Sequence, residues 1–118
     1  MIQNKMRIVV VPPGNIPQER MISGTLESFQ DIVKGNIEVR TDDRLLGMLL
    51  VVNDEGKINE MRFCRKIFTN SYPDYIFGTF FVVGNGRDDF VSLTDEQVKR
   101  VKTRFKFSLS FKNLKRPT

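Results

Sequence analysis

The sequence predicts an α+β domain: a single mixed, mostly antiparallel sheet of about six strands with two main helices. Three observations point there. Residues 6–11 and 76–83 are runs dominated by β-branched and aromatic side chains. Residues 25–34 and 94–104 place apolar side chains at helical spacing behind capping residues. Residues 105–111 alternate apolar and polar side chains. The 118 residues can bury a core without disulfide or metal support, and no linker divides 1–118 into two domains.

Taken in order, Met6-Arg7-Ile8-Val9-Val10-Val11 reads as a buried strand stopped by Pro12-Pro13-Gly14. A short extended piece follows near Arg20-Met21-Ile22. Thr25 is placed to cap a helix whose inward stripe is Leu26, Phe29, Ile32 and Val33, with Gly35 as its stop. Ile37-Glu38-Val39-Arg40 alternates like a half-exposed strand. Leu45 to Val52 is nearly all apolar, and Asn53-Asp54-Glu55-Gly56 turns it toward a return strand at Lys57 to Asn59. Residues 61–69 read as a short helix or an irregular loop. Ile76 to Val83 reads as one central strand, which Gly84-Asn85-Gly86 turns into Phe90-Val91-Ser92-Leu93.

The second helix has the clearest local signature. Thr94 and Gln97 form a capping box, and Leu93 and Val98 occupy the positions of a hydrophobic staple. Asp95 and Glu96 meet the positive helix end, while Arg100, Lys102 and Arg104 lie toward the negative one. Beyond it, Phe105, Phe107, Leu109 and Phe111 share one side of an extended segment and Lys106, Ser108, Ser110 and Lys112 the other. This C-terminal strand at 105–111 either closes the sheet or offers an edge to a partner strand or a second copy, which would make a homodimer.

Charge is unevenly placed. Residues 1–98 carry 11 Lys and Arg against 14 Asp and Glu, a net −3, whereas residues 99–118 carry eight cations and no acid. Those cations are Lys99, Arg100, Lys102, Arg104, Lys106, Lys112, Lys115 and Arg116. Such a segment suits nucleic acid or an acidic protein surface, and it equally describes a solvated helix face. Arg62, Arg65 and Lys66 would add three cations on one face if 61–69 were helical.

Catalytic chemistry finds little footing. Histidine is absent, which removes the commonest general acid–base and metal ligand. The single Cys64 cannot form an internal disulfide; beside Arg65 and Lys66 it reads as a small buried thiol before a nucleophile. Asp42-Asp43, Asp54-Glu55 and Asp88-Asp89 sit beside turn signals, where Asp is favoured for backbone hydrogen bonds. Gly84-Asn85-Gly86 leads to a strand, not a helix, so it reads as a turn and not a phosphate loop. No catalytic residue, metal or cofactor is expected. No apolar run approaches the roughly 18 residues of a membrane span, and the start lacks a signal-peptide stretch, so a cytoplasmic protein without membrane contact is the expectation.

Several blocks resemble a known family. These are Thr25 to Gly35 with Ile37-Glu38-Val39, Val51-Val52-Asn53-Asp54-Glu55-Gly56-Lys57, Gly78 to Gly84 and Phe90 to Val98. In this order they resemble domain of unknown function 3846 over about residues 7–105. That family has no established activity and occurs in bacteriophages, plasmids and integrated elements. Its members commonly carry an Asn-Arg pair in the middle loop; here Cys64 stands at the Asn position and Arg65 keeps the Arg. The resemblance implies a mobile-element accessory protein and supplies no catalytic residues.

The functional expectation is therefore a non-enzymatic binding protein of a phage or mobile element that docks on a host or element protein. Inhibition of a host defence system, of anti-CRISPR or antirestriction type, is its specific form. The alternative is a nucleic-acid-binding accessory or regulator using the basic C-terminal segment.

Overall fold

The strands that are apolar on both faces occupy the middle of the sheet, because only there are both faces covered. The computed structural model describes residues 5–107. Its elements run β1 (Lys5–Val11), β2 (Gln18–Ser23), α1 (Leu26–Val33), β3 (Ile37–Arg40), β4 (Met48–Asn53), β5 (Phe63–Thr69), β6 (Tyr72–Phe77), β7 (Phe80–Asn85), β8 (Phe90–Val91) and α2 (Asp95–Arg104). A six-stranded sheet has the order β2-β1-β7-β4-β3, with β8 also paired to β7, and β5 and β6 form a separate hairpin. Every described strand pairing is antiparallel.

Side-chain alternation sends two cores to opposite faces of the sheet. On one face Ile8, Val10, Val51, Phe81 and Val83 pack against Phe29 and Val33 of α1. On the other, Val9, Val11, Leu50, Phe80 and Val82 pack against Ile67 and Ile76 of the hairpin and Val98, Val101 and Phe105 of α2. Phe80 and Phe105 meet edge-on at 5.4 Å, an arrangement worth about 1 kcal/mol beyond area burial.

The helix caps act as the sequence indicates. Thr25 accepts from Ser28 N, and Thr94 and Gln97 form the reciprocal capping box. Phe29 and Val33 are buried, but Leu26 at the first turn of α1 is 57% exposed and leaves the expected stripe. Lys34, not Gly35, takes the left-handed cap conformation at φ 66°. The Asn53 amide donates to the carbonyls of Val33 (3.0 Å) and Lys34 (3.2 Å), so a β4 residue satisfies the helix end.

Four expected elements differ in whole or in part. Residues 61–69 contain strand β5 rather than a helix or loop, and Asn70 and Ser71, at φ 53° and 73°, form a two-residue turn into β6. Lys57 to Asn59 lie in turns, held by Asn59 N to Glu55 O (2.8 Å), and not in a return strand. Ile76 to Val83 is broken at Gly78 (φ 89°), whose N–H donates to Arg62 O, so its halves belong to different sheets. Of the expected C-terminal strand, residues 105–107 follow α2 without strand structure, because Phe105 is the helix cap; the remainder, including Leu109 and Phe111, lies outside the described residues.

Candidate functional site

The cations expected to share one surface divide into three groups. Arg65 is buried at 3% exposure and makes no salt bridge among the described residues. Its guanidinium donates to carbonyls of Phe105, Pro12 (3.2 Å), Cys64 (2.9 Å) and Asn15 (2.6 Å). Burial lowers its pKa, with the Cys64 thiol opposing. The residue fixes α2 and the β1–β2 loop to β5 and cannot contact a partner. Arg104 is likewise committed, its Nε 2.7 Å from Asp42, whose side chain is fully buried. Arg62 is exposed beside Gly14 of the β1–β2 loop. With β5 extended and Arg65 turned inward, Arg62, Arg65 and Lys66 do not form a single cationic face.

The expected interface of Phe105, Phe107, Leu109 and Phe111 is also divided. Phe105 is 1% exposed in the core, whereas Phe107 is 74% exposed, with the Lys106 ammonium 5.1 Å from its ring. Lys112, Lys115 and Arg116, with Leu109 and Phe111, fall outside the described residues.

A different constellation is assembled by the fold. A groove of about 300 Å³ runs between α2 and the β3–β4 loop, lined by Arg44, Leu45, Lys99, Arg100, Thr103 and Arg104. Arg100 reaches across it to the Arg44 carbonyl (3.4 Å). Arg44 lies 5.3 Å and Lys66 5.2 Å from the Phe68 ring, so one β5 aromatic positions both cations. Arg104 joins the two sides through Asp42 and the Lys66 carbonyl (3.3 Å). Among the described residues Arg44, Lys66, Lys99 and Arg100 make no salt bridge. Lys102 is exposed on the same helix.

The two acids of the β3–β4 loop are already engaged. Asp42 accepts from Phe68 N (3.0 Å) as well as Arg104, and Asp43 accepts from Asn70 N and Ser71 N at 2.9 and 2.7 Å. The Asp42-Asp43 pair thus anchors the β5–β6 hairpin to the main sheet, a longer-range role than the local turn its sequence indicates. Of the acids in the first turn of α2, Asp95 has its carboxyl pKa lowered chiefly by Arg7 and further by the nearby Lys99. Sequence reasoning missed Arg44, Phe68 and Thr103; the cue was Asn70-Ser71, which marks a hairpin and brings β5 alongside α2.

Other features take structural roles. Cys64 is buried, donates to the Val11 carbonyl (3.3 Å), and has its thiol pKa pushed up to about 12 by burial, against the opposing pull of Arg65. Gly86 N donates to Asp89 O in the turn between β7 and β8. Among the described residues no group of three or more His, Cys, Asp or Glu is placed to hold a metal ion, and no helix is long and apolar enough to cross a membrane. A wider groove of about 910 Å³ lies on the α1 side, over Phe29, Leu49 and Phe90 with Lys5, Arg87, Asp88 and Asp89 at its rim.

A family model described as a domain of unknown function (DUF3846) matches residues 6–106, from β1 to just beyond α2. No curated protein and no solved structure matches the chain.

Proposed function

The chain belongs to the DUF3846 family, and from that premise we propose a non-enzymatic binding protein that docks its α2–β5 cationic face on an acidic surface of another protein. The observation that carries this reading is the set Arg44, Lys99 and Arg100 lining a shallow groove, with Lys66 sharing the Phe68 ring with Arg44, and none of the four in a salt bridge among the described residues. Clustered cations of one sign favour fast, oriented encounter with a complementary surface. The setting is the cytoplasm of a cell carrying a phage or mobile element, and the specific form is inhibition of a host defence protein.

The shape of the groove favours a protein partner over a nucleic acid. Phe68 already has two cations against its ring, which disfavours its use as a base-stacking platform. Zero-length carbodiimide cross-linking in cells of origin tests the reading, because that reagent joins lysines to carboxylates in contact. Cross-links from Lys66 and Lys99 to Asp or Glu of one partner protein are expected. The nucleic-acid reading instead predicts DNA binding that falls steeply between about 50 and 200 mM salt. That result, without protein cross-links at these lysines, overturns the proposal.

A further inference from the structure

The opposite end of the sheet carries an independent feature. β2 is an edge strand, paired to β1 through six positions from Lys5↔Ser23 to Val10↔Gln18, with no second neighbour among the described residues. It contains no proline and no register shift, two of the devices that blunt an edge, and its charges are confined to the adjacent pair Glu19 and Arg20. All its positions except Ile22 are exposed, and Met21 is 57% exposed. The other edge, β3, is only four residues long, and its Arg40 is tied to Asp74 of the hairpin.

We propose that β2 pairs antiparallel with β2 of a second copy, about a two-fold axis perpendicular to the sheet, in a register centred on Met21. Such an axis keeps each sheet face continuous, so the two-fold must fall on a residue and not between residues. Centring on Arg20 would set two guanidinium groups directly opposite each other, an unfavourable cross-strand pair. Centring on Met21 uses positions 19–23. It opposes Met21 to Met21 of the other copy, sets Arg20 beside Ile22, and sets Glu19 beside Ser23. The Arg20 stem can then cover the apolar Ile22 side chain.

The charge flanking the Met21 pair is already neutralised. Arg7 stands opposite Met21 on β1 and is bound by Glu19 at 2.6 Å and Asp95 at 2.5 Å. These two carboxylates raise its pKa, so it stays a paired cation when a second sheet approaches. The seam therefore has a thioether contact at its centre with no unpaired charge in the same row.

Sedimentation or light scattering on the full chain tests this. The wild type is expected at twice the 13.7 kDa chain mass. Met21→Glu and Met21→Lys, each placing like charges at the two-fold, should weaken self-association roughly tenfold or more. An equimolar mixture of the two folded variants should restore the dimer, since a carboxylate then faces an ammonium. A mere loss of folding would not be repaired by mixing. A monomeric wild type, dimeric single variants, or a mixture that stays monomeric each overturns the proposal.

Discussion

Arg65 donates to the Phe105 carbonyl through both Nε (3.2 Å) and Nη2 (3.0 Å), so a buried guanidinium closes the C-terminus of α2. Helix carbonyls at that end have no intrahelical partner and carry the negative end of the dipole, so a cation is favoured there. Nη1 and Nη2 also reach the Pro12 and Asn15 carbonyls of the β1–β2 loop, and Nη1 the Cys64 carbonyl, which locks three parts of the chain around one planar fork. Arg65→Lys keeps the charge but replaces that fork with a single point donor. It should lower denaturant-measured stability by roughly 2–4 kcal/mol; a loss below about 0.5 kcal/mol would show that the fork is dispensable.

The Asp42–Arg104 pair behaves as a second clamp. Asp42 is fully buried and also holds Phe68 N, so Asp42→Asn leaves Arg104 without its counter-charge. We expect a cost of about 3 kcal/mol. A double-mutant cycle with Arg104→Gln should give a coupling of about 1–3 kcal/mol. Additive losses would mean that each side chain acts alone.

Helix α2 depends on its first turn. Thr94→Ala removes the acceptor of Gln97 N and should cost about 1 kcal/mol in chemical unfolding. Gln97→Ala, which frees Thr94 N, should cost less because that donor is exposed to water. Equal and negligible effects would show that tertiary contacts alone fix the helix start.

Cys64 supplies a pH-dependent test. Burial raises its thiol pKa from 9.0 to about 12, so the folded state favours the protonated form. The resulting stability is complete below pH 9 and is lost as pH rises toward 12. By pH 10 the wild type should have lost on the order of 1 kcal/mol more than Cys64→Ala. Parallel stability profiles from pH 8 to pH 10 would contradict this. A thiol reagent should label Cys64 only on unfolding.

Both helices were legible in the sequence because their signals are local: Thr25, Thr94 and Gln97 act within one turn. β1 and β7 were legible because runs such as Val9–Val11 and Phe80–Val83 are buried on both faces. β5 was not. Its register shifts between Phe63 and Arg65, and a charged Arg65 occupies an interior position, so alternation is obscured. Arg65 reads as a surface cation until the carbonyls of residues 12, 15 and 105 converge on it, and that convergence is a property of the tertiary fold. The cationic groove was hidden for the same reason: Arg44 and Arg100 are 56 positions apart and meet only when α2 crosses the β3–β4 loop.

The central claim is that this groove is a docking face. Its most direct test is partner capture by the Arg44→Glu, Arg100→Glu double variant, after circular dichroism and thermal melting confirm a native fold. Both residues lie outside the core, so the fold should persist while capture of the acidic partner disappears. Undiminished capture of the same partner by the folded variant would contradict the account.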